Sequence, residues 1–237
     1  MGNPRWKSFR TAHLETDLWI AVDSGNYRPA VEGFTKNRIL NYRGILDEHI
    51  RDNPEFKTSL SPLEIPGKVH SLVYEMYMAS EVAGTGPMSA VAGAVAEYIC
   101  NDLISEYGFN EVIVENGGDI FMRLSSPAII SVYAGTSPLS GKIGLSINPE
   151  LTPISVCCSS GTVGHSLSFG VADACMIACR SGAQADAYAT AFCNEVKSIM
   201  TVSSVTEMAL QRPDIISVLI IKDDKMGVGG QFEVRIL

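Results

Sequence analysis

The chain has 237 residues, is 46% hydrophobic and 19% charged, and carries a formal net charge of −8. That length suits one large domain or two intertwined half-domains, with a core that needs no staples. The acidic balance argues against nucleic acid or an anionic membrane as partner, because both require basic patches.

The opening MGNPRWKSFR has no apolar stretch of the kind a secretory leader needs, and Trp6 stands where a myristoylation motif requires a hydroxyl. The most apolar small-residue run, 88–104, is interrupted by Glu97 and Asp102 and is too short to span a bilayer. These features predict a cytoplasmic protein. The six cysteines show no disulfide or metal-ligand spacing and read as small buried hydrophobes.

In chain order, 8–23 read as two short strands around a turn near Glu15-Thr16. Residues 27–53 carry apolar side chains at helical spacing and end before Pro54. Residues 55–68 hold three turn signals and read as a connection. Two helices follow, one ending at Gly84 and one near 88–107 that opens on Pro87 and ends at Gly108. Residues 111–124 alternate around Asn-Gly-Gly, a hairpin signal. Residues 128–148 repeat the pattern with a longer turn, and 154–160 are a further strand.

The run 171–181 fits helix or buried strand by periodicity; its length and Gly182 favour strand. A helix near 183–198 carries Asp186 and Thr190. Another near 204–211 stops before Pro213, and 214–237 close the chain as a hairpin. Hairpins dominate and strict βαβ alternation is absent, so the expected class is α+β, mostly antiparallel sheet with paired helices on one face. The strand–helix–strand order occurs twice, which allows one domain over 1–237 or two intertwined halves, 1–125 and 126–237. No internal repeat is visible at residue level.

Four segments carry residue types suited to chemistry. Asp186 and Thr190 are four apart and share a helix face. A carboxylate with a neutral oxygen suits a hard cation such as Mg²⁺; the same pair also fits a first-turn acid favoured by the helix dipole. Gly117 and Gly118 permit positive φ or close approach of a ligand, and Asp119 follows directly. Around His165, the glycines and hydroxyls of SSGTVGHSLSFG, including Ser160 and Gly161, suit proton transfer or a phosphate cradle, or a plain polar loop. Gly84, Gly86 and Pro87 precede a helix without the Gly-Lys-Ser/Thr of a Walker loop.

Taken in order, ENGGDI, SSGTVGHS and ADACMIACRSGAQADAYATAF resemble the ApbE-type flavin transferase superfamily, over roughly residues 85–195. The last carries the most specific element, Ala-Asp-Ala-x-Ala-Thr-Ala. The resemblance implies two T-fold-like halves with a ligand site between them, FAD binding, Mg²⁺ coordination and FMN transfer to a threonine of a protein substrate. By position it implies Asp186 and Thr190 as metal ligands and His165 as the active-site histidine. Gly117, Gly118 and Asp119 would line the nucleotide cleft.

The sequence departs from that pattern in two places. HSLSFG lacks the family's Asp-Pro, and MSAVAGAVAEYI lacks its cofactor-holding lysine. The expectation is therefore a protein that binds a flavin or other nucleotide with Mg²⁺ and either transfers FMN or hydrolyses pyrophosphate. Catalytic candidates are His165 and Asp119; cofactor-binding candidates are Gly117, Gly118, Ser160 and Gly161. The alternatives are a binding protein without chemistry, or an enzyme for a different small metabolite. An apolar edge strand or hairpin suits a homodimer.

Overall fold

The computed structural model describes residues 4–163 and 168–237. The elements run β1 (Trp6–His13), β2 (Thr16–Asp23), α1 (Ala30–Asp52), the one-turn α2 (Glu55–Thr58), α3 (Ser71–Ala83) and α4 (Val91–Tyr107). Next come β3 (Val112–Asn116), β4 (Asp119–Arg123), β5 (Ala128–Ser131), β6 (Ile143–Ile147), β7 (Ile154–Ser159) and β8 (Ala174–Cys179). The chain closes with α5 (Gly182–Glu195), α6 (Val202–Leu210), β9 (Ser217–Lys222), β10 (Lys225–Gly230) and β11 (Glu233–Ile236).

Eight strands form one sheet in the order β1-β2-β3-β4-β7-β8-β9-β10. Every neighbouring pair in it is antiparallel. The spatial order follows the chain, so the sheet consists of two successive units of two strands, helices and two strands. The class is α+β with antiparallel sheet, as the hairpin signals predicted. The final hairpin is β9–β10 alone; β11 leaves it and joins β6 and β5 in a second, three-stranded sheet.

Alternation along the strands assigns the faces. Leu18, Ile20, Val112, Val114 and Phe121 pack under α1, α3 and α4. Cys175, Ile177, Val218 and Ile220 pack under α5 and α6. Met122, Ile154, Val156, Met176 and Leu219 face the opposite way and meet Ile143, Leu145 and Ile147 of the small sheet. With both faces covered, β8 is buried at all six positions, which is why 171–181 shows no clear period. All six cysteines are free and five are fully buried, as small hydrophobes would be.

Helix boundaries differ from the periodicity at three points. The turn Pro87–Ala90 is 3₁₀ before α4 begins. The connection after α1 contains α2. The helix with Asp186 stops at Glu195, three residues before the expected end.

The two units are joined at a seam between β4 and β7, where only three residue pairs are in register, Ile120↔Val156 to Met122↔Ile154. Over that seam α4 crosses α5. A Cβ on Gly93 would collide with the carbonyl oxygen of Gly182, and a Cβ on Gly182 with that of Gly93. Each helix also offers a carboxylate to the other. Asp186 Oδ2 accepts from Gly93 N at 2.9 Å, and Glu97 Oε2 accepts from Gly182 N at 2.6 Å.

The crossing exposes a repeat that the Ala-rich sequence hid: Gly93-Ala94-Val95-Ala96-Glu97 matches Gly182-Ala183-Gln184-Ala185-Asp186. In both copies the acid lies four residues after the glycine and holds the other helix. Gly93→Ala is expected to cost roughly 2 kcal/mol or more by overpacking, read as a lower urea midpoint. A cost below about 0.5 kcal/mol, the range of ordinary surface changes, would contradict so tight a crossing.

Candidate functional site

Under the crossing, at the end of the seam, two carboxylates are buried together. Asp119 is placed by the β3–β4 hairpin. Gly117 and Gly118 form its two-residue turn with φ of +65° and +107°, closed by the Asn116↔Asp119 pair. Both angles suit glycine, as the Asn-Gly-Gly signal predicted. The β4–β7 ladder stops at Ile120↔Val156, and one residue on Asp119 Oδ1 takes the Cys158 amide at 3.1 Å. The Asp119 side chain thus substitutes for a ladder bond where the strands part.

Asp186 is the fifth residue of α5, not in its first turn, where Ser181 serves as N-cap. Its helix-end partner is therefore α4 and not its own helix. Between the acids lies Cys157, whose Sγ is 3.2 Å from Ser155 Oγ and 3.8 Å from Gly182 O.

Asp119 is 8% and Asp186 9% exposed. Burial pushes the Asp119 carboxyl up to about 7, against a partial offset from the Cys158 amide. Asp186 is likewise raised, first by burial and then by the negative charge of Asp119, with the amides of Gly93 and Ala92 opposing.

The other buried acids of the described chain are treated differently. Glu111 pairs with Arg5 at 2.7 Å and Asp173 with Lys222 at 3.5 Å. Asp119 and Asp186 have backbone amides and a thiol as partners, and no lysine or arginine among the described residues. Two buried carboxylates without a cation are stable only when protonated or when a cation comes from outside. The carboxylates offer oxygen to a hard divalent ion, and the Cys157 thiol between them, pushed well up by burial, stays protonated and is no thiolate ligand.

Thr190 stands one turn beyond Asp186 and is partly exposed. Among the described residues no group of three or more His, Cys, Asp or Glu is close enough to hold a metal. A cation here would therefore rely on the carboxylates, the Thr190 hydroxyl, carbonyls, water and ligand oxygens.

On the opposite face of the same seam lies a cavity of about 650 Å³, lined by Gly117, Gly118, Ser160, Cys158, Tyr133 and others. Its size falls within the range of small-molecule sites. Ser160 Oγ accepts from the amides of Thr162 and Val163 at 3.1 and 3.0 Å, which turns the chain at the cavity wall. Gly161 does not line the cavity. Its role is close packing, because a Cβ there would collide with Gly170 O.

Of the sequence candidates, Gly117, Gly118 and Ser160 thus share the cavity, while Asp119 and Asp186 share the helix side of the sheet. The strand pleat that puts Ile120 on the cavity face turns Asp119 away from it. His165 lies outside the described residues. Before the segment that holds it, Val163 lines the cavity wall. After it, Ser168 Oγ meets Asn194 Oδ1 at 3.2 Å, near the end of α5.

Sequence reasoning missed three contributors. Cys157 carried no signal beyond being one of a cysteine pair. Tyr133 is 69% exposed on the cavity wall; an aromatic just past a strand was the only hint. Glu97 is legible only through the repeat.

With this geometry in place, comparison with known proteins identifies the class. The family model described as AbpE bacteria matches residues 2–215, and the chain belongs to this family of ApbE-like proteins. A UPF0280 protein of Methanocaldococcus jannaschii is 36% identical over 232 residues, covering 95% of this chain and 91% of that one. A UPF0280 protein of Methanococcus aeolicus is 40% identical over 183 residues, covering 76% and 72%.

Among solved structures, the apo flavinyl transferase ApbE of Pseudomonas stutzeri superimposes with a TM-score of 0.59 at 13% identity, covering 96% of this chain and 97% of that one. The ApbE protein of Thermotoga maritima gives 0.57 at 13%, covering 96% of each. At that identity the likeness establishes the fold. Among the described residues no helix is long and apolar enough to cross a membrane.

Because folding raises both carboxyl pKa values, their favourable contribution is complete below the ordinary carboxylate value near 3.8. The Asp119 share is lost as pH rises through about 7, and the Asp186 share is lost as pH rises through its own raised value. In cation-free buffer, Asp119→Asn should raise the thermal midpoint near pH 8 by roughly 4 °C or more and leave it almost unchanged near pH 4. A loss of similar size at both pH values would mean that the carboxylate is held ionised.

Proposed function

We propose that the protein binds a flavin nucleotide such as FAD together with Mg²⁺ at the seam and acts on its pyrophosphate. The attacking group would be a hydroxyl of a protein substrate, giving FMN transfer, or water, giving hydrolysis. The observation that carries this reading is the pair Asp119 and Asp186, without a lysine or arginine partner among the described residues, at the end of a seam whose other face holds the 650 Å³ cavity. Membership of the ApbE-like family supports the ligand class.

In this reading Asp186 and Thr190 hold the ion from one helix face. The ion supplies charge neutralisation on the pyrophosphate when bound. Gly117 and Gly118 let the ligand approach the hairpin backbone, Ser160 offers a hydroxyl at the wall, and Tyr133 offers an aromatic face for a ring to stack on. Asp119, raised to about 7, can hold or release a proton at its carboxyl near neutral pH and is the candidate general base. His165 is the other proton-transfer candidate by its place in the motif.

A second reading, ligand binding without chemistry, is favoured by one feature: α4 carries no lysine or arginine. An enzyme for a different small metabolite would use the same cavity.

The test is calorimetric binding of FAD with and without Mg²⁺, followed by separation of FMN and AMP after incubation. Mg²⁺ should tighten FAD binding, and Asp186→Asn should abolish about tenfold or more of that gain with unchanged circular dichroism. Binding without products selects the second reading. FAD binding that ignores both Mg²⁺ and Asp186→Asn, while the variant loses stability, reduces Asp186 to a helix brace.

A further inference from the structure

We propose that Glu97 is a positioning residue for the Asp186 carboxylate, acting through the α4–α5 crossing; this rests on the cation-holding role given to Asp186. The contacts form a closed circuit. Glu97 Oε2 holds the amide of Gly182, the first residue of α5, at 2.6 Å. One turn along α5, Asp186 Oδ2 holds the amide of Gly93 at 2.9 Å. One turn along α4 from Gly93 is Glu97 again. Each helical leg spans about 6 Å, and the two legs touch backbone to backbone at the glycines.

The circuit has two hydrogen bonds, and each fixes the helix that carries the other. Ser181 also caps α5, but its bond to Gln184 N is long at 3.4 Å. Glu97 is therefore the stronger hold on the start of α5. Without its carboxylate, Gly182 N loses its partner and α5 is free to shift along α4. Asp186 then loses its registration against Gly93 and against Asp119 across the seam. Glu97 itself lies away from Asp119, in a separate groove between α1, α3 and α4 that it lines with Glu75, Tyr98 and Asn101. The hydrogen bond it accepts comes from the Gly182 amide, so in this proposal it acts on the ion through the helix.

The test uses the full chain and Mn²⁺ as a paramagnetic stand-in for Mg²⁺, titrated in the presence of FAD. Glu97→Ala is expected to weaken Mn²⁺ by about tenfold or more, as loss of an outer support does at metal sites. It should also speed hydrogen exchange at the Gly93 amide. Glu97→Gln keeps an acceptor for Gly182 N and is expected to stay within about threefold of the native affinity.

A merely structural role gives a different pattern: Glu97→Ala lowers the thermal midpoint but leaves Mn²⁺ affinity within about threefold, and that result overturns the proposal. Should Glu97→Ala fail to fold, Glu97→Asp, one methylene short of Gly182 N, takes its place with the same two readouts and the same deciding outcomes. Asp186→Asn separates this proposal from the reading beneath it. If native Mn²⁺ binding is absent or survives Asp186→Asn, the cation role of Asp186 falls and the positioning role falls with it. If Asp186→Asn abolishes binding while the Glu97 variants retain it, only the positioning role falls.

Discussion

The crossing of α4 over α5 at Gly93 and Gly182 is the constraint on which the rest of the structure depends. Side chains normally keep helix axes about 8–10 Å apart; here two glycines remove them and let backbone meet backbone. The short distance allows an acid one turn along each helix to reach the first turn of the other. Helix N-termini carry unsatisfied amides and a partial positive charge, so a carboxylate from a neighbouring helix stabilises them. Because both contacts run in the same pattern, neither helix can slide without breaking one of them.

That constraint also fixes the seam. Only three residue pairs join β4 to β7, so the sheet alone holds its two units together weakly. The crossed helices above and the small sheet below clamp the joint from both sides. Where the ladder ends, an amide and a carboxylate face each other across the gap, and Asp119 takes the amide of Cys158. The fold thus delivers a second carboxylate to the place where the crossing delivers the first. Burying both is costly, and the chain elsewhere avoids that cost by pairing Glu111 with Arg5 and Asp173 with Lys222. Each acid of this pair holds a backbone amide, and neither has a lysine or arginine partner among the described residues.

Much of the architecture was legible in the sequence because turn chemistry is local. Asn116-Gly117-Gly118, Gly84 and Gly108 each mark a boundary through positive φ, and Pro87 marks the start of the segment leading into α4. The face of Asp119 was not legible. It depends on the pleat of β4 relative to a cavity whose other walls come from β5 and β7. The fate of Asp186 was half legible. Its spacing to Thr190 and the surrounding motif marked it as special, but its bond to Gly93 joins residues 93 positions apart. Glu97 was invisible for a related reason: five residues rich in alanine do not register as a repeat until the two copies are found in contact.

The two units put the same devices to different use. In the first, the β3–β4 hairpin turns through Gly117 and Gly118, and the acid that follows, Asp119, has no lysine or arginine partner among the described residues. In the second, the β9–β10 hairpin turns through Asp223 and Asp224. There the buried acid, Asp173, accepts from the Asp223 amide at 2.6 Å and lies 3.5 Å from Lys222 Nζ. The paired helical acids diverge in the same way. Glu97 lies in a groove that water reaches, whereas Asp186 is enclosed against Asp119. Burial pushes the Glu97 carboxyl up to about 7, against a partial offset from the Gly182 amide, and nearby Glu75 adds to the rise. An enclosed carboxylate beside another must take up either a proton or a metal ion, which makes Asp186 responsive to both. The two crossing contacts thus differ in their surroundings, one acid opening onto a groove and the other facing a second buried acid, and the proposed chemistry belongs to the second.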